Sequence, residues 1–126
     1  MTLLSGDNAL SFEQGASKTL QVTIQYPDGK PVVLQDVKLI FTMKRKVEDA
    51  LPLIVKTSDL VTEILITNIK AGKARIYIQS GDTAWLTPQD YTYDIWLIFT
   101  LTNKRHPVVR PSVLELTPSV TRFASP

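Results

Sequence analysis

The sequence predicts an all-β fold, an antiparallel β-sandwich of about seven to eight strands with one short helical turn near residues 82–86. Three observations carry this reading. Apolar and polar residues alternate with a period of two along most of the chain, placing one face of each segment in a core and the other in water. Turn chemistry built from Pro, Gly, Asp and Asn recurs at a spacing of roughly ten residues. No window longer than one turn has helical periodicity. A sandwich and a small barrel both satisfy such spacing, and the sandwich is the reading adopted.

The bulk properties set limits. At 126 residues, with 44% hydrophobic and 21% charged side chains, the chain has ordinary globular usage and forms one domain, 1–126. A net charge of +2, from 14 basic and 12 acidic residues, is too small to announce a nucleic-acid partner. Cysteine is absent and His106 is the only histidine, which removes disulfides, thiolate nucleophiles, thiolate metal sites and paired imidazoles. The start "MTLLSGDNAL" has no basic n-region followed by an apolar run, and no segment approaches the roughly 18 apolar residues of a membrane span. Neither an export signal nor membrane insertion is expected.

The elements follow in order. In "SKTLQVTIQYPDGKPV", Leu20, Val22, Ile24 and Tyr26 alternate with Thr19, Gln21, Thr23 and Gln25. Pro27, Asp28 and Gly29 then supply a preset φ, a side chain that bonds its own backbone, and a conformation costly to other residues, so the chain reverses. In "DVKLIFTMKRK", Val37, Leu39, Phe41 and Met43 take one face; Ile40 on the other implies a partly covered outer surface or an edge. Pro52 opposes a central strand before Leu53–Thr57, and a short strand follows at Ile64–Thr67, so a sheet edge or a change of sheet is expected there. "AGKARIYIQ" turns at Gly72 and directs Ala74, Ile76 and Ile78 inward, Arg75 and Tyr77 outward. Asp82 caps the single helical turn, and Thr87-Pro88 redirects the chain. The last strands are Tyr91–Leu101 and, roughly, Val113–Thr121, joined by a loop, "TNKRHPVVRP".

"DTAWLTPQDYTYDIWLI", Asp82–Ile98, has the density of acids and aromatics of a reactive site. From Asp90 onward the odd positions, Tyr91, Tyr93, Ile95, Leu97 and Phe99, are apolar or aromatic. That describes a central strand whose odd face builds the core. Trp96 and Ile98 on the even face then need cover, from a long loop or from another subunit. Asp90 and Asp94 lie roughly 13 Å apart along one strand, against about 5–9.5 Å for a glycosidase pair, so no catalytic residue is assigned and no enzyme is expected. Trp85, Trp96 and Tyr77 offer a carbohydrate platform, aromatic faces being surfaces on which sugars stack; alternatively Trp85 plugs the sandwich end and Trp96 packs at a protein contact. Asp82 followed nine residues later by Tyr91 matches the corner that joins the two sheets of immunoglobulin-like domains. Tyr91 or Tyr93 fills that post, and Tyr91 is favoured.

These residues also carry a resemblance. The early Pro27-Asp28-Gly29 turn, Gly72-Lys73, Asp82-Thr83-Ala84, Leu86, Tyr91, Tyr93-Asp94-Ile95, and the terminal Thr117-Pro118 with Val120-Thr121-Arg122 resemble the immunoglobulin-like domain near the N-terminus of baseplate upper proteins and related tail components of bacteriophages and prophages. The likeness spans nearly the whole chain. Gln89-Asp90 departs from it where a glycine commonly precedes the first tyrosine, and the 102–111 loop departs from it where a tight glycine turn is usual. The resemblance implies a structural virion protein of the tail or baseplate, made in the bacterial cytoplasm. Its partners would be other virion proteins and further copies of itself, and it would use no cofactor. The alternative is a carbohydrate-binding or host-receptor-recognition module with a glycan as ligand.

Basic residues gather in "MKRK" (Lys44, Arg45, Lys46) and "NKRHPVVR" (Lys104, Arg105, His106, Arg110). Phosphate contact is one reading of them. Glu48, Asp49 and Asp59 near the first cluster favour a solvated strand end. No hydrolase elbow, phosphate loop or calcium-loop spacing is present, and Asp7, Asp28 and Asp82 are explained as turn and cap residues; no metal site is assigned.

Overall fold

The computed structural model describes residues 9–121. Among them, eight strands form two sheets: β1 (Leu10–Glu13), β2 (Lys18–Thr23), β3 (Val37–Lys44), β4 (Ile54–Thr57), β5 (Ile64–Asn68), β6 (Lys73–Ile78), β7 (Asp90–Phe99) and β8 (Lys104–Thr117), with one helical turn, α1 (Ser80–Thr83). The five-stranded sheet has the order β1-β8-β7-β3-β4 and is curled and mixed; the three-stranded sheet has the order β2-β6-β5.

Alternation decides which side chains meet between the sheets. Leu39, Phe41 and Met43 of β3 and Tyr91, Tyr93, Ile95 and Leu97 of β7 are buried, as are Val22, Ile76 and Ile78 from the opposite sheet and Ile24, just beyond β2. All belong to one apolar cluster. Register places Phe41 opposite Ile95 and Met43 opposite Tyr93, and the diagonal pair Phe41–Tyr93 stacks with ring centroids 5.5 Å apart, an arrangement that adds to simple area burial.

The expected turns form. The Tyr26 N–H donates to the Lys30 carbonyl and the Lys30 N–H to Asp28 Oδ1, and Gln25 bridges Pro31 beyond them. Gly72 sits at φ +69°, and a Cβ there would lie 2.5 Å from the Ile24 carbonyl oxygen and 2.8 Å from that of Val32. Glycine is required on both counts. The sheet change predicted after Pro52 occurs between β4 and β5, each an edge of its own sheet.

Three expectations need correction. The pairing is not wholly antiparallel, because β1 runs parallel to β8, Leu10 beside Leu114 and Phe12 beside Leu116. A short connection carries the chain from β1 to β2 in the other sheet, and so leaves β1 on the open flank of β8. The 102–111 segment is not a loop: β8 already begins at Lys104. The reversal from β7 is tight, with Asn103 at φ 58° and its N–H donating to the Phe99 carbonyl, so asparagine does there what glycine commonly does. Two register shifts between β7 and β8 absorb Pro107 and Pro111 and bring the neighbours Val108 and Val109 both into the core. Bulges are the places where a strand tolerates proline. Finally, the helical turn is Ser80–Thr83, beginning about two residues before the expected 82–86 and ending about three before it.

Candidate functional site

The residues singled out by sequence fall into three places. Tyr91 is the second residue of β7, and its hydroxyl donates to the Thr87 carbonyl. Burial raises the phenol pKa above its ordinary value, opposed by a hydrogen bond from Gln89 and the positive charge of Arg45. Asp82 does not cap the helical turn from its N-cap position. It is the third helical residue, and its Oδ2 accepts from the N–H of the N-cap residue Gln79 at 2.7 Å. The same oxygen meets Lys56 Nζ at 2.8 Å. Lys56 points inward from the edge strand β4 and is 7% exposed, so this ion pair links β4 of one sheet to the turn that follows β6 of the other.

Trp85 lies just after that turn. It does not plug the end of the core; Leu86 does, at 5% exposure, while Trp85 is 48% exposed. With Val55, Lys56, Glu63, Gln79 and Asp82 it lines a groove of about 470 Å³. Glu63 is held there by accepting from the Thr57 N–H through Oε1 at 3.0 Å.

Trp96 occupies the outer face of the five-stranded sheet, opposite Ile40 on β3 and Pro107 on β8. Its indole N–H donates to Asp94 Oδ2 at 3.1 Å, two residues back on the same face. Ile98 lies beside it, between Lys38 and Arg105. Ile40, Thr42, Trp96, Ile98, Lys44 and Arg105 line a shallow groove of about 390 Å³. Tyr77 is elsewhere: it pairs with Thr19 on the outer face of the three-stranded sheet, on the opposite side of the molecule from Trp96. The three aromatics therefore do not assemble into one platform.

Two buried polar groups had no sequence signal. Gln14 Nε2 donates to the Leu86 carbonyl at 2.7 Å, and Thr83 Oγ1, fully buried, accepts from the Gly15 N–H at 2.9 Å. Together they bracket the end of β1 against the helical turn that carries Trp85. Of the basic clusters, Arg45 pairs with Asp49 at 3.5 Å and His106 meets Phe99 edge-on; Asp59 pairs outside them, with Lys38 at 2.8 Å. Among the described residues, no group of three or more His, Cys, Asp or Glu is placed to hold a metal ion, and no helix is long and apolar enough to cross a membrane. No family model matches this chain, and no curated protein matches it.

Proposed function

We propose that this chain is an immunoglobulin-like β-sandwich serving as a non-enzymatic assembly module of a bacteriophage or prophage tail or baseplate, joining neighbouring virion proteins and further copies of itself. The strand order supports the fold: β8-β7-β3-β4 and β2-β6-β5 correspond to the G-F-C-C′ and B-E-D sheets of such domains, and Tyr91 opens the strand equivalent to F with its corner bond to Thr87. The tail assignment rests on the sequence resemblance.

The observation that carries the assembly role is the outer face around Trp96. Ile40, Trp96 and Ile98 leave an apolar strip on the central pair of strands β3 and β7, with Lys44 and Arg105 at its rim. Apolar strips with a polar rim are what protein contacts use. Along β4, β5 and the uncovered half of β8, the margins favour contact through this face over strand addition. On β4 an inward lysine and a length of four residues discourage a further strand, on β8 the prolines and bulges do so, and β5 carries a bulge at Ile66–Asn68.

Light scattering on the purified chain, alone and co-expressed with the proteins encoded by its neighbouring genes, tests this. A defined complex is expected, weakened at least ~10-fold by Trp96→Asp with an unchanged circular-dichroism spectrum. Association that survives Trp96→Asp, or a chain that stays monomeric and unbound beside every such partner, would sink the reading.

A further inference from the structure

The two indoles differ in one chemical respect. Trp96 has its N–H engaged by Asp94, whereas the Trp85 N–H takes no hydrogen bond among the described residues. Its groove holds further unspent capacity. Glu63 uses Oε1 for the Thr57 N–H, and Asp82 uses Oδ2 for Gln79 and Lys56, leaving the second oxygen of each carboxylate without a partner among the described residues. The groove, about 470 Å³, falls within the roughly 300–1,000 Å³ of small-molecule sites. Its walls are pre-set: Lys56 fixes Asp82, the Thr57 N–H fixes Glu63, and Gln14 and Thr83 fix the turn beneath Trp85.

We infer that this groove is a saccharide subsite, taking one neutral hexopyranose unit of a surface glycan. One face of a pyranose presents C–H bonds of slight positive character, which meet the negative face of an indole. The ring's rim presents hydroxyl donors, which the free oxygens of Glu63 and Asp82 accept in charge-assisted bonds. An oxygen acceptor on the sugar satisfies the Trp85 N–H. The charges lining the groove, Lys56 against Glu63 and Asp82, sum to −1, which selects against uronic and sialic acids. Trp96 and Tyr77 take no part, so the site stands or falls independently of the assembly surface.

The test is a titration of the intact chain with neutral oligosaccharides (gluco-, galacto- and N-acetylglucosamine tetramers) and an oligouronate, followed by the two indole N–H resonances in nitrogen-15 correlation spectra. At least one neutral oligomer is expected to shift the Trp85 resonance with a dissociation constant of about 1 mM or tighter, leaving the Trp96 resonance in place, while the oligouronate shifts neither. Trp85→Ala should weaken binding about tenfold or more, Glu63→Gln less, and Trp96→Ala should leave it unchanged. Trp85→Phe, which keeps an aromatic face but no N–H, should retain part of the affinity and guards against a folding artefact. The inference is overturned if no neutral oligomer shifts the Trp85 resonance at about 10 mM, if Trp85→Ala binds as the wild type does, or if the oligouronate binds as well as the neutral sugars.

Discussion

The surroundings of Trp85 and of Trp96 are built on opposite principles. Trp96 stands on the middle of a long strand, hydrogen-bonded within its own strand and flanked by Ile40 and Ile98; its shape comes from the pleat of β3 and β7 and needs nothing from the other sheet. Trp85 stands on a turn, and its surroundings come from distant pieces of chain: Lys56 from an edge strand, Glu63 ahead of β5, Gln14 after β1. The first surface is rigid because a ladder of backbone bonds makes it so. The second is rigid only while a few buried polar contacts hold. Burying a charge is costly unless its partner is present, so the Trp85 region is the one that single substitutions can dismantle.

The largest effect should come from the framework that both share. Gly72→Ala forces a side chain into the left-handed region and against the Ile24 and Val32 carbonyls. It is expected to cost ~3 kcal/mol or more, or to prevent folding outright, since strain and backbone clash add. Chemical denaturation gives the number, and a loss below about 1 kcal/mol would show that the turn can relax. Next comes the contrast itself. Asp82→Asn strands the buried Lys56 ammonium and should lower stability by ~3 kcal/mol, whereas Asp94→Asn, on the exposed face, should change it by less than about 0.5 kcal/mol. Equal losses in thermal unfolding would erase the distinction between the two surroundings.

The smallest effect concerns the corner. Tyr91→Phe removes the bond to Thr87 and should cost about 1 kcal/mol near neutrality. Burial raises the folded pKa of Tyr91 above 10.0, so folding favours the protonated phenol. That contribution is complete below pH 10.0 and is lost as the pH climbs through the raised value. Phenylalanine has no such proton. The stability gap between wild type and Tyr91→Phe should therefore narrow above pH 10, and urea midpoints measured across that range check it. A gap that is constant or widens would mean that the hydroxyl is not buried in the folded state.

What could be read from the sequence was whatever is local and periodic. The alternation of β7 showed both its faces, including the exposed Trp96 and the half-buried Ile98, and the Pro27–Gly29 turn and the Gly72 turn stood where their residues require. The first half of β8 hid because Pro107, Pro111 and a run of cations are the ordinary marks of a loop. A bulged strand paired on only one side over that half tolerates all of them. β1 hid because it is four residues long and takes its place from a parallel partner some hundred residues away. The Trp85 site was half visible: Trp85 and Asp82 stood out by type, but Lys56, Glu63 and Gln14 reach them only through the fold, and no spacing rule links positions that distant.

The guarded margins of the two sheets bear on how many copies can be packed together. Backbone groups along an open margin would zip onto those of a neighbour, and each addition would template another, as in a growing fibril. Along β4, β5 and the first half of β8 an inward-facing ammonium, a bulge and prolines discourage that growth, and in the proposed assembly the apolar strip on β3 and β7 carries the contact instead. Under the proposed assembly role, copies joined face to face through that strip would close into discrete clusters, whereas copies joined edge to edge would grow without limit.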